Sequence, residues 1–213
     1  MQSHFTEVEQ RVRRYWYTDG IGELIGGGMF IVLGIYFAAQ EFLGENSLIS
    51  GLLQAGLVIV LIGGMALGRW LIKALKSRLT YPRTGYVEYH ENPQGKNRRR
   101  ILVALVAGMV TAFSLVFVKK LTPLLNLTLA LTGILVGAIL IFLQGRKAGL
   151  ERFYVLGGIS IVLGVALSLS GLPEGYGLGL FYSVMGLAYL VSGGIVLRRY
   201  LLENPLPAED GRE

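Results

Sequence analysis

Six stretches of this chain lack charged residues and histidine and are long enough, or nearly so, to cross a lipid bilayer. They cover residues 24–40, 46–68, 101–118, 121–145, 153–173 and 175–197. A helix needs about 20 apolar residues to cross a hydrocarbon core of about 30 Å. Backbone polar groups in lipid must be satisfied within the segment, so the stretches predict helices rather than open strands. The sequence therefore predicts an all-α transmembrane protein, a six-helix bundle.

The composition agrees with a chain that largely avoids water. Hydrophobic residues make up 53% of the 213 residues and charged residues 16%, whereas a soluble domain carries about 25% charged residues. The absence of cysteine excludes disulfide bonds and thiolate sites. The net charge of +6 comes from basic residues between the apolar stretches, which indicates contact with anionic lipid headgroups and not with nucleic acid.

The basic residues also predict the orientation of the chain. With a cytoplasmic N-terminus, eighteen of the 20 Lys and Arg residues fall inside, and only Lys119 and Lys120 fall outside. Cytoplasmic loops are normally enriched in Lys and Arg, so both termini are predicted to be cytoplasmic, in the plasma (cell inner) membrane. The chain then divides into an interfacial segment at 1–20, three hairpins at 21–73, 101–145 and 146–202, an inner loop at 74–100, and a disordered tail at 203–213.

An internal repeat relates the first hairpin to the third. A shift of about 130 positions superposes the glycine patterns of these two hairpins without a gap. Because the shift spans four helices, the repeats would be parallel, related by an axis near the membrane normal. Small residues let helices approach closely, within one bundle or between copies. The glycines predicted to pack helices are Gly27, Gly34, Gly56, Gly63, Gly157, Gly164, Gly186 and Gly193.

Two water-facing segments carry the candidate contact residues. Residues 5–17 have an amphipathic pattern that predicts a helix on the inner leaflet. In the inner loop, Pro82 and Gly85 bracket a turn between aromatic residues, which favours either a small β-hairpin or tyrosines at headgroup level. The predicted partner or lipid contacts are Trp16, Tyr81, Arg83, Tyr86, Arg98, Arg99 and Arg100.

Two motifs resemble known families. The run Thr-Tyr-Pro-Arg-Thr-Gly-Tyr-Val at 80–87 resembles a loop of uncharacterised prokaryotic multi-pass membrane proteins. The run Gly-Gly-Ile-Ser-Ile-Val-Leu-Gly at 157–164 is similar to the repeats of the HdeD-like family of six-span membrane proteins. The resemblance implies a six-span fold and brings no catalytic residues with it.

The predicted spans contain few residues suited to catalysis or to binding a metal or cofactor. Glu23 and Glu41 flank the first span, and Glu23 is expected to cap the helix or to form a salt bridge with an arginine. The sequence has no metal-ligand spacing, no phosphate-binding loop and no nucleophile elbow. It therefore predicts no cofactor, no metal and no enzymatic activity.

The resulting hypothesis is a structural, accessory or stress-related membrane component that acts through its inner loop. Its partners would be membrane lipids, including anionic headgroups on the cytoplasmic face, and a protein partner or a second copy of the chain. One alternative is a channel or transporter for a small neutral or apolar solute, with Gln54 as a lining residue. Another is an enzyme on lipid headgroups that uses Arg83, His90 and Glu91.

Overall fold

The structure is a computed structural model that describes residues 17–43, 48–84 and 127–205. These residues are helical and contain no strand. The elements are α1 (Ile21–Leu43), α2 (Leu48–Leu79), α3 (Tyr81–Thr84), α4 (Leu127–Ile139), a π-helical continuation of α4 (Leu140–Gly145), a short turn of helix (Arg146–Ala148), α5 (Arg152–Ser168) and α6 (Glu174–Glu203). The all-α prediction is confirmed for this part of the chain.

Three of these helices are long and apolar enough to cross a membrane: Ile21–Leu43, Leu127–Gly145 and Glu174–Glu203. A fourth apolar helix, α5, has 17 residues. The third predicted span and the predicted turn at 119–123 lie outside the described residues. The count of six spans, the internal repeat and the orientation therefore stay predictions.

The fifth predicted span ends earlier than its apolar run. The sequence predicted a helix to position 173, but α5 ends at Ser168. The hydroxyl of Ser170 donates to the carbonyl of Leu167 at 2.7 Å, and Gly171 then adopts a left-handed backbone with φ of 69°. Pro173 has no backbone N–H to continue the ladder, so the chain turns here and starts α6.

α1 and α6 form the closest helix pair, and they run antiparallel. Glycines face each other along the whole contact: Gly20 lies against Gly193, Gly27 against Gly186, and Gly34 against Gly179. A methyl group at position 27 would lie 2.8 Å from the carbonyl oxygen of Gly186, closer than packed atoms allow. The seven-residue glycine spacing therefore brings the two backbones into direct contact.

α4 and α5 form a second antiparallel pair of the same kind. A methyl group at Gly133 would lie 2.6 Å from Cα of Gly164, and one at Gly137 would lie 2.7 Å from the carbonyl oxygen of Gly157. The hydroxyl of the fully buried Ser160 donates to the carbonyl of Gly133 at 2.9 Å. A polar side chain is thus satisfied inside the helix contact.

Gly56 and Gly63 differ from the other predicted packing glycines. A methyl group at either position would meet no atom within 4 Å. Within 17–43, 48–84 and 127–205, these two glycines of α2 do not mark a close helix contact.

The core lies between α1, α4, α5 and α6, and aromatic rings fill it. Phe37 of α1 stacks on Tyr182 of α6 with ring centroids 5.5 Å apart, and Phe30 meets Tyr189 edge to face at 5.3 Å. The outer faces carry large exposed apolar side chains, for example Val162 and Ile195, which are 69% and 63% exposed. An apolar exterior of this extent suits helices whose solvent is lipid.

Residues 80–84, at the start of the predicted β-hairpin, form a turn and a short helix instead of a strand, and the rest of the predicted hairpin lies outside the described residues. α2 continues to Leu79, Thr80 forms a turn, and α3 follows at once. Pro82 occupies the first turn of α3, where its missing N–H costs nothing. The aromatic and β-branched residues of this segment favour a strand, but at 80–84 the contacts of Thr80 and Arg83 with the bundle outweigh that preference.

Candidate functional site at the charged end of the bundle

Four ionisable side chains meet at one end of the bundle, which we call the charged end: Asp19, Glu23, Lys76 and Arg152. They come from the start of α1, the end of α2 and the start of α5. Ser192, about three turns before the end of α6, lies at the same level, because it reaches Glu23. The charged end therefore joins four of the described helices: α1, α2, α5 and α6.

Asp19 is the centre of the first ion pair. Its carboxylate lies 2.9 Å from Nζ of Lys76, and the two side chains are 1% and 2% exposed. The hydroxyl of Thr80 donates to Asp19 at 3.1 Å, and the backbone N–H of Ile21 donates to the other carboxylate oxygen at 3.2 Å. Asp19 thus caps the start of α1 and fastens it to the last turn of α2.

Glu23 is the centre of the second ion pair. Its carboxylate lies 2.7 Å from Nη2 of Arg152 and accepts a hydrogen bond from the hydroxyl of Ser192 at 2.6 Å. Glu23 is 2% exposed, so its predicted salt bridge with an arginine is confirmed, with the partner on α5. The pair and the hydrogen bond join α1 to α5 and α6.

Arg152 makes further contacts that fix its orientation. Its Nη2 group also donates to the backbone carbonyl of Tyr17. The guanidinium lies 5.4 Å from the ring centroid of Phe153, and Tyr17 meets the same ring edge to face at 5.4 Å. Arginine stacks on aromatic rings and forks between acceptors in a way that lysine does not.

The charges of these four side chains are arranged in two pairs that join helix ends. Each buried carboxylate faces one cation, so the charges balance in pairs. The described residues contain no group of three or more His, Cys, Asp or Glu side chains that could hold a metal ion. Buried ion pairs add little net stability over apolar packing, but loss of one partner leaves an uncompensated charge. The charged end therefore fixes which helix ends meet.

Arg83 of α3 holds the beginning of the inner loop against α6. Its Nη1 group donates to the carbonyl of Asn204 at 2.7 Å and to that of Leu201 at 3.4 Å. These carbonyls belong to the C-terminal end of α6, where a cation is favoured by the helix dipole. In the structure Nη1 of Arg83 thus forms a clamp within the chain, and its predicted contact with a partner or lipid stays a prediction.

The other predicted contact residues are distributed differently. Tyr81 lies in α3 and is partly buried. Trp16, Tyr86 and the basic residues at 98–100 lie outside the described residues, as do His90 and Glu91.

Sequence reasoning missed three members of the charged end, Asp19, Lys76 and Arg152, and the serine that contacts it, Ser192. Lys76 and Arg152 were counted only as topology signals, and Ser192 was hidden in an apolar run. Asp19 gave the clearest signal, because an aspartate two residues before an apolar helix is a typical N-terminal capping residue.

The opposite end of the bundle has a simpler contact. The backbone N–H of Gly175, in the first turn of α6, donates to the carboxylate of Glu41 at 3.1 Å. Glu41 is exposed, in the last turn of α1. An acidic group is favoured at a helix N-terminus, so this contact supports the α1–α6 pair at its far end.

Comparison with known proteins identified no relative. No family model matches the chain, and no curated protein or solved structure matches it. The resemblances drawn from the two sequence motifs therefore stay predictions.

Proposed function

We propose that this chain is a six-span integral membrane protein, with both termini cytoplasmic, that serves as a structural or accessory component rather than an enzyme. Three apolar helices of spanning length and the lopsided distribution of basic residues support the membrane placement. In this orientation the charged end faces the cytoplasm. The inner loop then leaves the bundle on the cytoplasmic side.

The observation that carries the accessory role is the Arg83 clamp. Because Nη1 of Arg83 is bonded to the last carbonyls of α6, the first turn of the inner loop is fixed to the bundle. Asp19 and Thr80 fasten the preceding turn to α1. A loop that starts from a fixed base presents its remaining residues with less loss of conformational freedom on binding.

The contact surface of this proposal lies beyond Arg83. Tyr86 and the basic residues Arg98, Arg99 and Arg100 are the candidates, and their chemistry fits an acidic partner surface. Arg83 supports this surface from within the chain.

The test is purification from the native membrane in mild detergent, followed by mass spectrometry of co-purifying proteins. We expect a stoichiometric partner that is lost in the triple variant Arg98→Gln, Arg99→Gln, Arg100→Gln and reduced by Tyr86→Ala. Arg146→Gln removes an exposed arginine elsewhere and should leave the partner in place. A protein that purifies alone, or a partner retained by every variant, would overturn the accessory role.

One observation favours the transport alternative. α4 continues as a π-helix at Leu140–Gly145, and the buried side-chain oxygen of Gln144 within it has no hydrogen-bond partner. π-helical segments recur at functional sites, and a polar group in an apolar span is suited to a small neutral solute. Solute flux into proteoliposomes that falls in Gln144→Leu would favour transport over the accessory role.

A further inference from the structure

A shallow depression lies on one face of α6 near the charged end. Its volume is about 400 Å³. The lining residues recur at helical spacing and, apart from one arginine, are apolar or glycine: Gly194, Leu197, Arg198, Leu201 and Leu202. Gly194 forms its floor, since a methyl group there would meet nothing within 4 Å.

Arg198 lines this depression, and Arg199 follows it on α6. Arg198 and Arg199 are exposed, and neither forms a salt bridge or a hydrogen bond with another described residue. Arg83 and Arg152, at the same end, are bonded within the chain. The guanidinium groups of Arg198 and Arg199 thus keep their donors available for an external anion.

The depth of the depression matches the boundary between acyl chains and headgroups. α6 has 30 residues and is about 45 Å long, close to the 40–45 Å of a bilayer with its headgroup layers. Arg198 lies five residues before the end of α6 and is thus about 7 Å from it along the axis. Gly194 lies about one turn deeper, within the hydrocarbon.

We propose that this depression binds one anionic phospholipid, with an acyl chain against Gly194 and Leu197 and the phosphate held by Arg198 and Arg199. Arginine matches phosphate oxygens in paired hydrogen bonds, which favours an anionic headgroup. Five lining residues are far fewer than the roughly 20–30 a side of a stable protein interface, so a lipid fits better than a protein. The proposal depends on membrane insertion but not on a protein partner.

The test is native mass spectrometry of the full chain, purified in mild detergent and titrated with phosphatidylglycerol or phosphatidylcholine. We expect preferential retention of phosphatidylglycerol. Arg198→Gln and Arg199→Gln should each lower its affinity about fivefold. Gly194→Leu should fill the depression and lower retention of the same lipid, without a clash inside the protein.

Two control variants separate a built site from a general attraction. Arg146→Gln removes an exposed arginine, and Gly158→Leu fills an equally open helix position on α5. Both should retain phosphatidylglycerol like the unchanged protein. Equal losses in Arg146→Gln and Arg198→Gln, or unchanged retention in Gly194→Leu, would overturn the proposal. The first result would indicate diffuse charge attraction, and the second would indicate that another part of the chain covers the depression. The accessory role would survive either result, since it is tested by protein co-purification.

Discussion

The ammonium group of Lys76 lies 2.9 Å from the carboxylate of Asp19, and both side chains are almost completely buried. Lys76 is in the last turn of α2, and Asp19 precedes the first residue of α1. The pair therefore closes the α1–α2 hairpin at the charged end. The attraction between the two charges offsets part of the desolvation cost of burying each of them.

Removal of one partner of this pair should destabilise the fold strongly. We expect Lys76→Ala and Asp19→Ala each to lower the free energy of unfolding by about 3–5 kcal/mol, because the remaining charge is buried without a counter-ion. The double variant should lose less than the sum of the two single losses, because no lone charge remains. A double-mutant cycle by denaturant unfolding in detergent micelles measures this coupling.

Lys73→Ala is the matched control for the lysine variant. Lys73 is exposed on the same helix, one turn before Lys76, and its loss should change stability by well under 1 kcal/mol. If Lys76→Ala were no more harmful than Lys73→Ala, the ion pair would have no role in holding the hairpin.

Arg152 should tolerate neither loss of charge nor replacement by lysine. Arg152→Met leaves Glu23 buried without its cation and removes the contact with the Tyr17 carbonyl, so we expect a loss of about 3–5 kcal/mol. Arg152→Lys keeps the charge but loses the forked hydrogen-bonding geometry, so its stability should lie between that of the unchanged protein and that of Arg152→Met. Thermal unfolding monitored by size exclusion ranks the stability of the two variants and the unchanged protein. A Lys variant as stable as the unchanged protein would show that charge alone is sufficient.

The glycine contact between α1 and α6 predicts opposite effects for two Gly→Ala changes on one helix. A methyl group at Gly186 would lie 2.7 Å from Cγ1 of Ile31 and 2.8 Å from the Gly27 carbonyl oxygen, so the helices must separate. We expect a loss of about 1–3 kcal/mol. Gly194→Ala has open space and should be neutral or more stable by up to about 1 kcal/mol, because alanine favours helix. Equal thermal stability of the two variants would contradict the close contact.

The orientation can be tested by cysteine labelling without removal of native cysteines, because the chain has none. Ser77 is exposed near the charged end, and Leu172 is exposed in the connection that leads into α6 at the other end. In intact cells, a membrane-impermeant maleimide should label Leu172→Cys and should reach Ser77→Cys only after permeabilisation. The reverse pattern would place the charged end outside the cell.

The sequence predicted the helical class better than it predicted the polar contacts. Charge-free runs locate helices because lipid leaves the backbone no other partner, and α1 and α6 extend only a few residues beyond their predicted spans. The contact between Gly27 and Gly186 needed the structure, because the spacing of glycines does not say which helices meet. The predicted repeat would not have paired these two positions.

The charged end escaped prediction for a different reason. Lys76 and Asp19 are 57 positions apart, and nothing in the spacing of single charges shows that two of them meet inside a protein. Arg83 was placed among the predicted partner or lipid contacts because it lies in the predicted inner loop. Its actual partners are backbone carbonyls of Leu201 and Asn204, which have no sequence signature.

The α1–α6 pair has a consequence for how the protein is made. The hydrogen bond from Ser192 to Glu23 spans 169 positions, so at about 5–20 residues per second its donor is synthesised on the order of ten to thirty seconds after its acceptor. During that interval the glycine face of the first helix is uncovered, and its carboxylate has no cation until Arg152 has been made. A ribosome that stops before α6 thus leaves an orphaned first helix, the kind of intermediate that insertion chaperones shield and membrane proteases remove.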